Sequence, residues 1–141
     1  CFVLSDGEAC GVAEEAALAM TEIAYTESFY KRVLDVRHGP MLLIGKDSFV
    51  LIRRTAEGGE LENALIQDIV RLGATVVTCS DVPMEQIEGT SAHLSFGGRL
   101  SEATAAIPIL LPMQLLSYHI AVRTGHDPDR PDGLSAWIKL A

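Results

Sequence analysis

The fold is decided by residues 48–80, which read SFVLIRRTAEGGELENALIQDIVRLGATVVTCS. The apolar runs at 48–53 and 75–80 predict two buried strands, because short apolar runs with polar or glycine boundaries are typical of strands inside a parallel sheet. Residues 59–72 between them predict an amphipathic helix, and Gly73 follows where a helix C-cap is expected. We expect four side chains at helical spacing to form its buried stripe: Leu61, Leu65, Ile69 and Leu72.

The residues before this unit add a strand, a helix and a connecting region. Residues 2–4 predict a short buried strand, and 12–24 predict a helix because alanine, glutamate, leucine and methionine dominate there. The alternating residues 26–30 suit a short edge strand. In 34–44 we expect a loop and a helical turn, interrupted at Gly39-Pro40 because a proline restricts the backbone of the residue before it.

The residues after this unit add a strand and a final helix. A short strand is predicted near 93–96, and a helix over 112–124 that stops at Gly125. The apolar run 105–116 is interpreted as the buried start of this helix with its approach. Strands therefore alternate with helices along the chain, which predicts an α/β fold with a mostly parallel sheet and right-handed crossovers.

Composition limits the possible functions. A chain of 141 residues that is 48% hydrophobic and 21% charged suits one compact domain with a core of its own. Its formal net charge of −8 argues against a nucleic-acid binder, since such proteins depend on clustered lysine and arginine. A membrane span is not expected, because the longest apolar run, 105–116, contains Pro108, Pro112 and Gln114 and is shorter than the roughly 20 residues required.

The cysteines indicate the cellular compartment, and the first residues indicate whether the chain is part of a longer protein. Cys1, Cys10 and Cys79 have neither metal-ligand spacing nor a paired pattern, which favours reduced thiols in the cytoplasm. We predict no metal and no cofactor. The chain opens without a methionine, within a predicted strand, so we expect further residues upstream and interpret 1–141 as part of a longer protein.

The candidate chemistry consists of carboxylates on the first helix and a histidine in the following loop. Glu15 and Glu22 are seven residues apart, so two helical turns place them on the same face, where both could look into a cleft. They could equally be solvated surface charges. His38 lies beside Arg37 and Gly39-Pro40, and histidine is the residue type most often used as an acid or base near neutral pH, although a structural loop histidine remains an alternative.

Four motifs in order resemble the second half of the sugar isomerase (SIS) domain pair. They are Glu22-Ile23-Ala24-Tyr25, Arg37-His38-Gly39-Pro40, Pro112-Met113-Gln114-Leu115-Leu116-Ser117-Tyr118-His119 and Gly125-His126-Asp127-Pro128-Asp129-Arg130-Pro131. Each motif is weak alone, but together they cover nearly the whole chain. The most similar pattern is the isomerase portion of glucosamine-6-phosphate synthases and related phosphosugar isomerases.

This resemblance implies a flavodoxin-like, three-layer SIS subdomain with a five-stranded parallel sheet in the order 2-1-3-4-5, in which residues 26–30 supply the second strand. It implies that Glu22 carries a proton between C1 and C2 of a sugar phosphate. His38 would enter the site of the neighbouring subunit of a homodimer and help to open the sugar ring. Further residues would bind the substrate: Glu15, Arg37, Ser135 and Ala136.

Departures from the family narrow the expected reaction. The synthases have a lysine three residues before the glutamate and another near the C-terminus, and this chain has Ala19 and Ala136 there. We therefore expect a phosphosugar isomerase whose first SIS subdomain, with its phosphate-binding loop, lies outside this chain. The alternatives are a phosphofructosamine deglycase, a synthase-like aminotransferase, a non-catalytic module that senses a sugar phosphate, and a structural half-domain.

Overall fold

A computed structural model describes residues 1–98, 100, 104 and 106–134. The regular elements are β1 (Phe2–Leu4), α1 (Cys10–Glu22), β2 (Phe29–Lys31), β3 (Phe49–Arg53), α2 (Gly59–Arg71), β4 (Thr75–Ser80), β5 (Ala92–Ser95) and α3 (Ile107–Thr124). Short 3-10 helices lie at Gly7–Ala9, Leu34–Arg37 and Pro40–Leu43. No helix in the described ranges has the length and apolar character needed to cross a membrane.

The five strands form one parallel sheet in the order β2-β1-β3-β4-β5, which confirms the predicted topology. Val3 of β1 lies between Tyr30 of β2 and Leu51 of β3. Helix α2 packs on the face that carries Val50 and Ile52, whereas α1 and α3 pack together on the opposite face. The molecule therefore has the three layers of a flavodoxin-like fold.

Alanine residues hold α1 close to the sheet. The buried face of this helix consists of small side chains and one methionine: Ala13, Ala16, Ala17, Ala19 and Met20. Because an alanine side chain is a single methyl group, the helix axis can lie near both the sheet and α3 without leaving a gap. Ile109 and Met113 of α3 complete the same core from the other side.

The predicted buried stripe of α2 was partly wrong. Leu65 and Ile69 are buried as predicted, but the side chain of Leu61 is 68% exposed and that of Leu72 is also exposed. Glu62 and Ile66 occupy the buried positions instead. The helix is rotated relative to the prediction because Ile66 fills the core beside Val76 and because Glu62 faces a buried arginine.

Several element boundaries also differ from the prediction. Strand β2 lies at Phe29–Lys31 instead of 26–30, since Thr26 and Ser28 are used in side-chain hydrogen bonds of the preceding turn. Helix α3 begins at Ile107, because Pro108 falls in its first turn, where a missing N–H has no cost. Its first half is not fully buried, since Leu111 and Leu115 are exposed.

Candidate functional site

Glu22 is the last residue of α1 and lies at the amino edge of the sheet. The helix connects two parallel strands, so it runs opposite to them and its last turn reaches the edge where the strands begin. Glu15, Leu18 and Glu22 are all exposed, and their spacing places them on one side of the helix. Both carboxylates are therefore accessible from the same direction.

His38 lies in the turn between the 3-10 helices Leu34–Arg37 and Pro40–Leu43, and it is exposed. Its backbone N–H donates a hydrogen bond to the Asp35 carbonyl at 3.0 Å. Gly39 has a φ of 120°, a conformation open to glycine and strained for other residues, and Pro40 then begins the next 3-10 helix. The glycine and the proline thus fix the direction in which the chain leaves His38.

Arg37, a predicted substrate-binding residue, forms an ion pair within the chain. Its Nη2 lies 2.7 Å from Oδ2 of Asp68 in α2. Arg71 shares the same carboxylate, with its Nη1 2.6 Å from Oδ1 of Asp68. The pair attaches the His38 turn to the end of α2. A substrate phosphate at Arg37 would have to compete with Asp68.

The segments that carry Glu22 and His38 pack on opposite faces of the sheet. Val36, two residues before His38, packs in the core between the sheet and α2. Helix α1, which ends at Glu22, packs in the core on the opposite face. The packing within one chain therefore does not bring these two segments together. Two further predicted binding residues, Ser135 and Ala136, lie outside the described residues.

Two exposed leucines with a pocket on either side follow His38 in the chain. Leu42 is 90% exposed and Leu43 is also exposed. One pocket of about 420 Å³ is lined by Phe2, Phe29, Lys31, Gly39, Pro40, Leu42 and Leu43. Another of about 560 Å³ is lined by Arg37, Met41, Leu42, Ile44, Asp68, Arg71 and Leu72. The residues around His38 thus present an apolar surface to solvent.

A buried ionic cluster at the carboxyl edge of the sheet was not predicted. Arg54 follows β3 and donates from Nη1 to the Glu85 carbonyl (2.6 Å) and from Nη2 to Oδ1 of Asn63 (3.3 Å). Its Nε lies 3.8 Å from Oε1 of Glu62, too far for a hydrogen bond. Burial raises the pKa of the Glu62 carboxyl to about 7. A hydrogen bond from the backbone of Thr55 and the positive charge of Arg54 act in the opposite direction and lower this pKa.

His93 of β5 is hydrogen-bonded at both ring nitrogens. Nδ1 lies 2.8 Å from Oγ1 of Thr78, and Nε2 lies 3.1 Å from Oγ of Ser80. Ser80 donates its hydroxyl to the Val82 carbonyl, so it accepts from Nε2–H, and Nδ1 accepts from Thr78. Burial and the charge of Arg54 lower the pKa of His93, which favours this neutral form. His93 has a structural role.

Metal ligands are not grouped in the described ranges. No three histidine, cysteine, aspartate or glutamate side chains among those residues lie together as a metal site would require. The geometry instead offers an exposed carboxylate at the end of α1 and an exposed imidazole in the turn after β2. These groups can transfer protons to and from a bound molecule.

Comparison with known proteins identifies similar chains. No protein-family model matches. The isomerizing glutamine–fructose-6-phosphate aminotransferase of Pyrococcus horikoshii is 31% identical over 99% of this chain and 23% of its own length. The chain thus spans about a quarter of the length of the curated relatives it matches.

Solved structures establish the fold. A protein of Clostridium novyi, provisionally described as a tagatose-6-phosphate ketose/aldose isomerase, superposes on this chain with a TM-score of 0.82 at 21% sequence identity. The superposition covers 94% of this chain and 36% of that one. The C-terminal domain of the aminotransferase from Francisella tularensis gives a TM-score of 0.75 at 23% identity, over 89% and 36%. Sequence similarity and fold together show that this chain resembles a sugar isomerase (SIS) domain of the kind found in the isomerase portion of these aminotransferases.

Proposed function

We propose that the chain is the second SIS subdomain of a phosphosugar isomerase, an enzyme that interconverts an aldose and a ketose 6-phosphate through an enediol. The observation that carries this proposal is the exposed Glu22 carboxylate at the end of α1, in a chain similar over 99% of its length to an isomerizing aminotransferase. Within the described ranges, no cation is paired with this carboxylate. Glu22 is thus available to accept a proton.

The proposed reaction needs one base that acts on one face of the enediol. Glu22 would remove the proton from C2 of the aldose and return it to C1, and the reverse reaction would use the same two steps. Glu15, on the same side of α1, would contact the substrate.

We further propose that the site is shared between the subunits of a homodimer. The packing of their two segments on opposite faces of the sheet supports this, because it favours a meeting of Glu22 and His38 across two chains. The exposed Leu42 and Leu43 beside His38 offer apolar surface that an interface would cover. His38 would act at the ring oxygen of the sugar bound by the partner.

The missing lysines favour isomerisation over amino transfer. Ala19 is buried at the position where the family has its first lysine, so no amine is present there to form an imine with the open sugar. A phosphofructosamine deglycase could use the same glutamate and histidine, and it is distinguished by its substrate. The phosphate-binding loop would come from a first SIS subdomain outside this chain, which covers 23% of the length of the aminotransferase from Pyrococcus.

A cytoplasmic location agrees with the thiols. Cys1, Cys10 and Cys79 are free, and burial raises the pKa of the Cys79 thiol to about 12. A thiol with so high a pKa stays protonated at neutral pH and is therefore unreactive toward disulfides. We propose that the protein works in a reducing compartment, where such thiols persist.

Hydrogen exchange at C1 of fructose 6-phosphate tests the role of Glu22. The intact protein in heavy water should introduce deuterium at C1, as followed by NMR, and Glu22→Gln should abolish this exchange. Glu14→Gln is the matched control, since Glu14 is another exposed glutamate of α1 outside the proposed site. Saturable binding without exchange in the unaltered protein would reject the isomerase and favour a sensing module or a fructosamine substrate.

Mixing two inactive variants tests the shared site. Glu22→Gln and His38→Ala dimers would each be inactive, whereas a hybrid dimer would contain one site with both residues intact. Random mixing of equal amounts should restore about a quarter of the original activity, since half of the dimers are hybrids with one working site. If subunit exchange is verified and no activity returns, the shared site is rejected. Either both residues then act within one subunit, or one of them is not part of the site.

A further inference from the structure

Tyr25 has an unusual backbone conformation at the Glu22 end of α1. Its φ is 51°, and among the described residues it is the only non-glycine residue with a positive φ. Glycine or asparagine usually occupies such a position after a helix, because the Cβ of other residues is crowded there. A tyrosine at this position suggests that its side chain is needed.

The side chain of Tyr25 contacts the segment that follows α3. Its ring stacks on the ring of His126, with centroids 4.1 Å apart and an interplanar angle of 22°. Its hydroxyl donates a hydrogen bond of 3.0 Å to the backbone carbonyl of Asp132. These contacts link two parts of the chain that are 107 residues apart in sequence. Tyr25 thus holds both the beginning and the later part of this segment.

The end of α3 is built to present His126. Gly125 adopts the left-handed conformation with a φ of 84°, and the His126 N–H donates to the Ala121 carbonyl at 2.9 Å. This is the Schellman arrangement that ends many helices. Because α1 and α3 pack side by side, their last turns lie at the same edge of the sheet. The stack with Tyr25 joins these two ends.

We propose that Tyr25 is a positioning residue that fixes residues 126–132 against the end of α1 that carries Glu22, and so organises substrate binding there. This inference rests on the proposed function, since it assumes that a sugar phosphate binds near Glu22. The segment held by Tyr25 therefore lies beside the end of α1, where Glu22 is the last residue. We call the two contacts of Tyr25, with His126 and with Asp132, the Tyr25 clamp. Loss of this clamp should weaken the binding of the sugar phosphate more than it slows proton transfer.

Two variants separate the parts of the clamp. Tyr25→Phe keeps the ring on His126 and removes only the hydrogen bond to Asp132. Tyr25→Asn removes both contacts, and asparagine accepts the left-handed backbone, so the turn itself should not be strained. Tyr118→Phe and Tyr118→Asn are the matched controls, because Tyr118 is also a half-exposed tyrosine with its ring against a histidine, His119.

The first measurement is amide hydrogen exchange of residues 126–134, which does not depend on activity. Tyr25→Asn should accelerate exchange in this segment at least about tenfold, and Tyr25→Phe about fivefold, as expected for one hydrogen bond. The Tyr118 variants should leave it unchanged. Unchanged exchange in Tyr25→Asn would show that no clamp exists.

The second measurement is the dissociation constant for fructose 6-phosphate, together with KM and kcat for deuterium exchange. We expect Tyr25→Asn to raise the dissociation constant and KM about tenfold and to change kcat less than threefold. Faster amide exchange with an unchanged dissociation constant would reduce Tyr25 to a structural residue and overturn the proposal. Since binding is measured separately, a protein that binds the sugar but exchanges no deuterium would reject the isomerase while still testing Tyr25.

Discussion

Replacing Glu62 by glutamine should change how the stability of the protein depends on pH. Glu62 is 5% exposed, and burial raises the pKa of its carboxyl from 4.5 to about 7. The folded protein therefore holds this proton more tightly than the unfolded chain, so stability is lost as the pH rises through this range. Each pKa unit corresponds to about 1.4 kcal/mol, which gives a loss of about 3 kcal/mol by pH 8.5.

Urea denaturation followed by circular dichroism measures this effect. The free energy of unfolding of Glu62→Gln, relative to the unaltered protein, should rise by about 3 kcal/mol between about pH 4.5 and about pH 8.5. Other titrating groups cancel in this difference. Glu60→Gln, at an exposed position in the first turn of α2, should show a flat difference. A fall at high pH would refute the reasoning, because it would mean that the attraction to Arg54 outweighs the cost of burial.

Three further predictions concern the core and the strand edges. Gly89→Ala should cost about 2–4 kcal/mol in thermal or urea unfolding, because φ is 82° there and a Cβ would lie 2.6 Å from Cγ1 of Val70; a neutral result would mean that this loop moves freely. Leu65→Ala should lower the free energy of unfolding by about 2–5 kcal/mol and Leu61→Ala by less than about 0.5 kcal/mol, since only Leu65 is buried. Equal losses would mean that Leu61 is buried too, as the sequence predicted. His93 has a lowered pKa, so its contribution to stability is lost as the pH falls below about 6.5, and His93→Gln should reduce that loss; identical acid profiles would contradict the assignment.

The local signals in the sequence agreed with the overall fold. Apolar runs, helical spacing and glycines at helix ends are read from neighbouring residues, and they predicted alternating strands and helices with a mostly parallel sheet. The order of the strands was predicted only from the resemblance to SIS domains. The buried face of α2 could not be predicted in the same way. Two sets of residues at helical spacing fit this helix, one with Leu61 and one with Glu62, and only contact with Arg54 and the core decides between them.

The candidate site shows the same limit. Glu22 and His38 were chosen from their chemistry and from a resemblance, but the packing of their segments on opposite faces of the sheet is invisible in their spacing. Tyr25 gave no local signal either, since tyrosine is not expected in a left-handed turn. Its partners, His126 and Asp132, are more than a hundred residues away, so only the folded chain reveals them.

The shortness of the outer strands bears on aggregation. Strand β2 has three residues and β5 has four, so each edge of the sheet offers few free backbone groups to a strand from another molecule. Short edges are a common protection against the addition of foreign strands. Ser28→Val, which removes the hydrogen bond from Ser28 to the Thr26 carbonyl and adds a β-branched residue before β2, would favour a longer edge strand. The lengths of β2 and β5 therefore limit how much backbone the sheet offers to a strand from another molecule.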